Sequence, residues 1–515
     1  MLVQGKKGII TTPHQAASEA GARILSQGGN AIDAMISASA VLSIVFPHMT
    51  GIGGDALWVI FDKKVRSIMG LGQAGQNKPE QAISERGPTA LALTSAALAS
   101  WQTALNISQH HWGSRCKLEQ LLEESIDLAQ RGVRVSPSHA FWIQQRKTLL
   151  ETLPSLNPLT RNRQGEALVA GDIFYQRALG DTLAVLAKNG LMDFYCGEVA
   201  QELSNGFNQL GSQLTLDDFK AVRAEEITPL SVRYRQGTYY NFPPPSQGLY
   251  TLQALATLQR FSLSNLDPGG SQYYHLLVEA VKQALKERNH TLHDPLADAW
   301  DFASVLAPRN IDSATAAEWN ETGKPADTIW MAATDAQGRT ACLMQSLFHD
   351  FGSGCIIGDS GVLWHNRAAG FNANQNHINA WAPGKRPAHT LNPSCYIADD
   401  GTQLFFGSQG GDGQPQTQMV LATQLVDYQK EIDEALFAPR FLLGRSFFDS
   451  TENLKLEASM HENTITALLG LGHEIERIPA LSPYCGQAGI IKIDALGNQK
   501  AMHDPRGQGV SIAIN

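Results

Sequence analysis

The first part of the chain carries the apolar spacing of helices. In residues 16–26 apolar side chains recur every three or four positions, and Gly-Gly-Asn at 28–30 ends the segment. Residues 31–45 are almost entirely apolar, which predicts a second helix that is buried. The run at 57–61, Leu-Trp-Val-Ile-Phe, predicts a strand, and residues 91–214 are mostly helical in pattern.

Past residue 328 the pattern changes to short apolar or alternating segments separated by Gly, Asp and Asn. This pattern predicts strands at 330–335, 341–346, 355–357, 395–397, 404–406 and 490–493. A helix is predicted at 416–426, behind Gly410 and Gly411. The simplest interpretation is one α/β unit with a helical first part and a strand-rich second part.

Composition excludes several classes of protein. The chain has 515 residues, of which 43% are hydrophobic and 17% charged, so it can bury a large core. A net charge of -9 without a Lys/Arg block argues against nucleic acid or an anionic membrane as partner. The N-terminus lacks the apolar stretch of a signal peptide, so we expect a cytoplasmic protein. The six cysteines form no CxxC pair, and neither a disulfide framework nor a metal site is expected.

A series of motifs runs in order through almost the whole chain. They are Gly-Gly-Asn-Ala-Ile-Asp-Ala at 28–34, Pro-His-Met-Thr-Gly-Ile-Gly-Gly-Asp at 47–55, Phe-Tyr-Cys-Gly at 194–197, Pro-Pro-Pro-Ser at 243–246, residues 275–288 with Asp294-Pro295, Phe-Gly-Ser-Gly at 351–354, Lys-Arg-Pro at 385–387 and Asp-Pro-Arg at 504–506. Together they resemble the motifs of γ-glutamyltransferases. The resemblance implies a four-layer αββα sandwich of the N-terminal nucleophile hydrolase type, made as a precursor that cuts itself once.

The family's nucleophile motif places the cut between Asp327 and Thr328. Residues 1–327 would form a large α subunit, mostly helical with core strands, and residues 328–515 a small, strand-rich β subunit that begins with the nucleophile. Both subunits would share one αββα domain. The resemblance implies no cofactor, and a homodimer of the processed heterodimer is possible.

Thr328 has the chemistry that this family needs. After cleavage its α-amine, with a pKa of about 7.7 to 8.0, lies beside its own hydroxyl and can act as the base. Gly410 and Gly411 match the glycines whose amides form the family's oxyanion hole, although a plain turn before a helix is the competing interpretation. Ser346 falls where the family has a Thr that hydrogen-bonds the nucleophile. The neighbours Ile329-Trp330 depart from the usual Thr-His.

The positions that recognise glutamate in the family are changed in this chain. Leu71 replaces the Arg that holds the α-carboxylate, and Phe348 replaces an Asn. The Gln and Asp that hold the α-amine are replaced by Arg367 and Gly370. A guanidinium offers a forked pair of donors that fits a carboxylate, so an ammonium receptor has become a carboxylate receptor. The competing interpretation of Arg367 is a surface salt bridge.

These changes predict a small amide that carries a carboxylate but no α-amine. The predicted substrate-binding residues are Asn366, Arg367, His389 and Thr390, although His389 is also compatible with a core histidine. The pattern is similar to the branch of the family that hydrolyses oxamate in purine (ureide) breakdown. The alternatives are a γ-glutamyl hydrolase or transferase, a glutaryl or cephalosporin-type acylase, and an uncleaved, non-catalytic binding protein.

Overall fold

The computed structural model describes residues 1–323, 326–445 and 450–515. The strands in these ranges are β1 Val3–Gly5, β2 Gly8–Thr12, β3 Asp55–Phe61, β4 Val65–Gly70, β5 Val133–Arg134, β6 Ile173–Phe174, β7 Glu225–Ile227, β8 Leu230–Tyr234, β9 Gly237–Asn241, β10 Asp327–Asp335, β11 Thr340–Phe348, β12 Ile356–Ile357, β13 Val362–Leu363, β14 Ser394–Ala398, β15 Gln403–Ser408, β16 Phe441–Leu443, β17 Leu454–Glu457, β18 Ile475–Ile478, β19 Ala488–Ile493, β20 Gln499–His503 and β21 Val510–Ile514.

The α-helices in the same ranges include several short ones. They are α1 Gln15–Ser26, α2 Ala31–Val45, α3 Ala97–His110, α4 Leu118–Arg131, α5 Pro137–Gln145, α6 Lys147–Glu151, α7 Asn157–Thr160, α8 Arg177–Asn189, α9 Asp193–Cys196, α10 Glu198–Gln209, α11 Leu216–Lys220, α12 Gly248–Leu258, α13 Ser271–Thr291, α14 Phe302–Val305, α15 Gly413–Val426, α16 Ile432–Phe437 and α17 Glu462–Gly470. None of the helices in the described ranges combines the length and the apolar character that a membrane crossing needs.

Two seven-stranded antiparallel sheets form the centre of the molecule. The first has the strand order β21-β2-β10-β11-β3-β4-β7, and the second has the order β1-β20-β19-β15-β14-β9-β8. Each of these two sheets takes strands from both sides of residue 328, so neither predicted subunit holds either of them complete. The two parts of the chain therefore share one core.

Alternating side chains along the strands separate three apolar layers. On β10, Trp330 packs between the two sheets, whereas its neighbours Ile329 and Met331 pack against the helices that cover the first sheet. On β15, Phe405 points between the sheets and Phe406 packs against the helices that cover the second sheet. This period of two produces helix, sheet, sheet and helix layers. The predicted four-layer αββα sandwich is confirmed.

The helix after the two glycines begins earlier than the sequence predicts. We expected it at 416–426, but α15 starts at Gly413, with Pro415 in its first turn. Proline is compatible with a first turn because the amide groups there have no partner within the helix. The amino end of the helix consequently lies directly behind Gly410 and Gly411.

Candidate active site

One edge of the first sheet brings together residues that are far apart in sequence. Thr328 lies at the start of β10, and β11 ends beside it, with Phe348 opposite Asp327 in the register. Ser346, near the end of β11, pairs with Asp55 at the start of β3. Because neighbouring antiparallel strands run in opposite directions, these starts and ends meet at the same edge.

The second sheet presents its own strand ends to this edge. Gly410 follows the end of β15, and His389 and Thr390 precede the start of β14, which pairs with β15. The segment after β9 reaches the same region, since Ser246 forms a bridge with His389. The strand ends of both sheets thus place the predicted nucleophile, oxyanion turn and recognition residues around one site.

The peptide bond before Thr328 lies between two hydroxyl groups. The Thr328 Oγ1 donates a hydrogen bond of 2.6 Å to the carbonyl oxygen of Asp327, and the Ser346 Oγ donates one of 2.5 Å to the same oxygen. The Phe348 amide donates in turn to the Ser346 Oγ at 2.8 Å. This chain of donors polarises the carbonyl group. The register shifts between Asp327 and Ile329, so the ladder is irregular at this peptide bond.

The Asp327 side chain is a buried carboxyl group in a cluster of charges. Burial raises its pKa well above the usual value, and the nearby Asp350 raises it further. Asp350 itself is paired with Arg146 at 3.0 Å and with Arg86 at 3.3 Å. The Asp327 Oδ2 has no hydrogen-bond partner among the described residues. Burial therefore favours the neutral form of the Asp327 carboxyl when the chain is continuous.

The turn formed by Gly410 and Gly411 has a geometry that requires glycine. Their φ angles are 116° and 51°, and a Cβ added to Gly411 would lie 2.5 Å from the amide nitrogen of Ala326. Within residues 1–323, 326–445 and 450–515, neither glycine amide has a hydrogen-bond acceptor. Two such amides are suited to receive an oxyanion, and the turn packs against the segment that precedes Thr328.

Arg367 is a buried cation, which excludes the competing surface salt bridge. Its side chain is 1% exposed, and its guanidinium carbon lies 3.8 Å from the centre of the Phe348 ring. The Nη1 donates to Thr390 Oγ1 at 3.2 Å, whereas the Nη2 has no partner in the described part of the chain. Burial lowers the pKa of Arg367 to about 9, against the attraction of Asp55. An unpartnered buried donor of this kind points to an absent acceptor.

A small cavity of about 50 Å³ is lined by two residues that contact Arg367, namely Phe348 and Thr390, but not by Arg367 itself. Phe348, Gly370, His389 and Thr390 line it, so four positions that differ from the family's glutamate-binding pattern meet there. Arg367 lies directly behind two of these residues. Leu71 does not line the cavity; it packs in the core between the sheets.

His389 uses both ring nitrogens for contacts within the protein. Its Nε2 lies 3.2 Å from the Asp55 Oδ2, and its Nδ1 accepts a hydrogen bond from the Leu391 amide at 3.2 Å. Burial lowers the pKa of His389 to about 3, and the charge of Arg367 acts in the same direction. The ring is therefore neutral, with the proton on Nε2 directed at Asp55, and it offers the cavity a surface without a free donor.

The Asn366 side chain also bonds within the protein. Its Oδ1 accepts from the His349 amide at 3.1 Å, and its Nδ2 donates to the Glu85 carbonyl at 2.7 Å. These contacts join two loops and leave Asn366 outside the cavity lining. A role in substrate binding, both for it and for His389, stays a prediction.

One group of side chains in the described residues has the spacing of metal ligands. Atoms of His275, Glu279 and His473 all lie within 4.8 Å of one another. The His275 Nδ1 is 2.8 Å from the His473 Nε2, and the Lys282 ammonium is 2.8 Å from Glu279. The ion pair and the hydrogen bond account for this cluster, and a divalent cation beside Lys282 would leave excess buried positive charge.

Three further residues of the site were missed by sequence reasoning. Gln247, Arg288 and Asp412 line the same cavity as Thr390. Each stands in or next to a recognised motif: Gln247 follows the Pro-Pro-Pro-Ser motif at 243–246, Arg288 ends the motif at 275–288, and Asp412 follows the predicted oxyanion glycine Gly411. Position next to these motifs was the available signal.

The fold and this site define a class of protein. Two packed antiparallel sheets lie between helical layers, Thr328 stands at the start of a strand, and a glycine turn packs against the segment before it; this is the architecture of an N-terminal nucleophile hydrolase. The family model described as Gamma-glutamyltranspeptidase matches residues 17–514, and the chain belongs to this family. It is therefore an amide hydrolase of the γ-glutamyltranspeptidase and acylase type.

Known proteins similar to this chain extend over nearly its whole length. The oxamate amidohydrolase proenzyme of Klebsiella pneumoniae is 36% identical over 98% of this chain and 98% of its own. The glutathione hydrolase-like YwrD proenzyme of Bacillus subtilis is 35% identical over 99% of each chain. Among solved structures, a cephalosporin acylase from Bacillus halodurans matches with a TM-score of 0.88 and 25% identity, covering 100% of this chain and 97% of its own.

Proposed function

We propose that the protein is an autoprocessed threonine amidohydrolase that hydrolyses a small carboxylate-bearing amide. The leading candidate is oxamate, which would be converted to oxalate and ammonia in purine or ureide degradation. The observation that carries this proposal is the buried Arg367 guanidinium, whose Nη2 lacks a partner among the described residues beside a small cavity.

Self-cleavage would begin at the peptide bond between the two hydroxyl groups. The Thr328 Oγ1 attacks the carbonyl carbon of Asp327, the bond to the Thr328 nitrogen breaks, and that nitrogen takes up a proton. Ser346 stabilises the negative charge on the carbonyl oxygen, to which it already donates. Water then hydrolyses the ester, which frees the Asp327 carboxylate and the α-amine and hydroxyl of Thr328.

In turnover the same hydroxyl would attack the substrate. The free α-amine takes the Thr328 hydroxyl proton, directly or through one water, and the Oγ1 forms a bond to the amide carbon. The amides of Gly410 and Gly411 receive the oxyanion. Ammonia leaves with a proton from the α-amine, and water hydrolyses the acyl-enzyme to release the second carboxylate.

The substrate preference follows from charge and size. Departure of the segment ending at Asp327 would extend the small cavity to Thr328 and Arg367, where a carboxylate satisfies the Nη2. An α-ammonium group would need an acceptor, but Gly370 has no side chain, and Asp412 is already paired with Arg288 at 2.7 Å. A γ-glutamyl group is therefore disfavoured.

The similar proteins support an amide substrate but differ in the acyl group. The Klebsiella relative is named for oxamate. The Bacillus subtilis relative is named for its likeness to glutathione hydrolases, and the similar solved structure is a cephalosporin acylase. These names define the alternatives: a γ-glutamyl hydrolase or transferase, and a glutaryl or cephalosporin-type acylase.

Substrate profiling of the processed protein tests the proposal. We expect ammonia release from oxamate and none from γ-glutamyl-p-nitroanilide or a glutaryl amide; the reverse result overturns the oxamate assignment. Thr328→Ala should remain a single band of 55.9 kDa on a denaturing gel. The control Thr334→Ala changes a buried Thr of the same strand, which pairs with Thr340, and should still be cleaved. A wild-type chain that stays uncut supports the non-catalytic alternative.

A further inference from the structure

Gln247 connects the two halves of the site. Its Nε2 donates to the Gly411 carbonyl at 2.9 Å and to the Thr390 carbonyl at 2.6 Å. Its main-chain amide donates to the His389 carbonyl at 2.8 Å. The side chain is fully buried, so these bonds have no competition from bulk water. One amide group thus touches both the oxyanion turn and the loop that contacts Arg367.

An ion pair fixes the orientation of this amide. The Arg288 Nη1 donates to the Gln247 Oε1 at 2.7 Å and to the Asp412 Oδ1 at 2.7 Å, while its Nη2 donates to the Asp412 Oδ2 at 2.9 Å. Arginine has donors only, so the oxygen of Gln247 must face it and the NH₂ group must face the two carbonyls. Asp412 directly follows Gly411, so the ion pair also restrains the oxyanion turn.

The two carbonyls that Gln247 joins have different tasks in the proposed reaction. Gly411 belongs to the turn that would receive the oxyanion, and the Thr390 Oγ1 accepts a hydrogen bond from Arg367. Gln247 and Arg288 lie before the predicted cleavage point, whereas Gly411 and Thr390 lie after it. The large-subunit part of the chain therefore holds two small-subunit elements at a fixed separation.

We propose that Gln247, oriented by Arg288 and Asp412, is a positioning residue that sets the distance between the oxyanion turn and the carboxylate receptor. This inference rests on the proposed function. A fixed distance selects acyl groups of one length, because the attacked carbonyl and the carboxylate must both reach their partners. The short dicarboxylic monoamides, of which oxamate is the smallest, are the class that suits a short separation of this kind.

A pair of glutamine variants on one segment tests the role of Gln247. Gln247→Met keeps the length of the side chain and removes its donors and acceptor. The control is Gln253→Met on α12, where an equally buried Gln donates to Glu287 at 2.9 Å and to the Val305 carbonyl at 2.8 Å, away from the site. Both variants lose two side-chain hydrogen bonds that Nε2 donates, and both should show a lower Tm.

The kinetic constants separate positioning from stability. We expect both variants to cut themselves, because Ser346 and Thr328 keep their contacts. For oxamate, kcat of Gln247→Met should fall about 10- to 100-fold, since small displacements of an oxyanion donor have effects of this size, and KM should rise. Gln253→Met should stay within about 2-fold in both constants. Equal kcat values for the two variants overturn the inference.

A second variant distinguishes a loss of positioning from misfolding. Gln247→Glu can still accept from Arg288 but cannot donate to Gly411 or Thr390, so kcat should fall in a folded, processed protein; wild-type kcat in this variant overturns the inference. If the wild-type enzyme does not hydrolyse oxamate, the proposed function is refuted instead of this inference. The comparison is then made with whichever amide of the panel is hydrolysed, because every acyl group needs the oxyanion turn.

Discussion

Replacing Arg367 by Met should have opposite effects on stability and on activity. Methionine has nearly the same length but no charge, so it fills the space of the side chain without a buried cation. We expect the variant to be more stable than the wild type and nearly inactive. This combination is unusual, because most substitutions of a fully buried side chain destabilise the protein.

The size of the stability effect follows from the surroundings of the guanidinium. Burial lowers its pKa from the usual value of a guanidinium to about 9. At about 1.4 kcal/mol for each tenfold change in proton affinity, the charged form is disfavoured by about 5 kcal/mol at pH 7. The cation–π contact with Phe348, whose ring centre is 3.8 Å from the guanidinium carbon, offsets about 2 kcal/mol of this cost. Removing the charge should therefore stabilise the protein by about 1 to 3 kcal/mol.

The effect on activity has the opposite sign. A charge-assisted hydrogen bond contributes about 1.5 to 3 kcal/mol, and a carboxylate on the fork of Arg367 would form two. Their loss should lower kcat/KM for oxamate at least about 100-fold. Urea unfolding of processed protein gives the first quantity, and ammonia release gives the second.

Arg440→Met is the matched control for stability. Arg440 is also fully buried, but its Nη1 lies 2.6 Å from the Asp504 carboxylate, so its removal leaves the buried cluster of Arg506, Asp504 and Glu457 with one uncompensated negative charge. That variant should lose about 3 to 5 kcal/mol. If Arg367→Met loses stability as Arg440→Met does, or keeps kcat/KM within about 3-fold, the interpretation of Arg367 as a carboxylate receptor without its ligand is wrong.

Three further predictions concern the other parts of the site. Ser346→Ala should slow self-cleavage about 100-fold on a gel time course, because the donor to Asp327 is lost, and Ser346→Thr should restore it; equal rates would contradict this. Gly411→Ala should lower kcat about 100-fold, given the φ of 51°, whereas Gly401→Ala, at a φ of 93° in an open turn, should not. His389 has a folded pKa of about 3 against 6.5, so the unfolded chain binds its proton first and stability falls as pH drops below 6.5; in His389→Gln the urea-measured loss from pH 8 to pH 5 should be smaller by about 2 kcal/mol, and an unchanged loss refutes this.

The elements of the layered fold could be predicted from the sequence because helices and strands follow from local patterns of apolar residues. The helices at 16–26 and 31–45 and the strand at 57–61 were predicted within two residues of their observed bounds. The family motifs then supplied the arrangement of the sheets, which periodicity alone does not give. The strands β8 and β9, which extend the second sheet, were not predicted; β8 has a single buried position, Tyr234, and so lacks a clear apolar face.

The contacts of the site depend on side chains that sequence separation hides. Arg367 and Phe348 are 19 residues apart, and nothing in their spacing indicates that the guanidinium lies on the ring. The same holds for Gln247, whose partners Thr390 and Gly411 lie 143 and 164 residues away. Such pairs form only when strand ends of both sheets meet at one edge, so pairing of the strands has to be known first.

In the continuous chain, the two groups proposed to stabilise an oxyanion, Ser346 and the Gly411 turn, differ in what they contact. Ser346 already donates to the carbonyl of Asp327, so the apparatus that we propose for self-cleavage is assembled before any cut. Gly411, by contrast, packs against Ala326 so closely that a Cβ added to it would lie 2.5 Å from the Ala326 amide nitrogen. The turn cannot accept a substrate carbonyl while this segment is in place. Cleavage between Asp327 and Thr328 removes the covalent bond that joins this segment to β10, so the segment can move away from the turn. We therefore expect turnover to begin only after the cut, with the first reaction of the threonine clearing the site for all later ones.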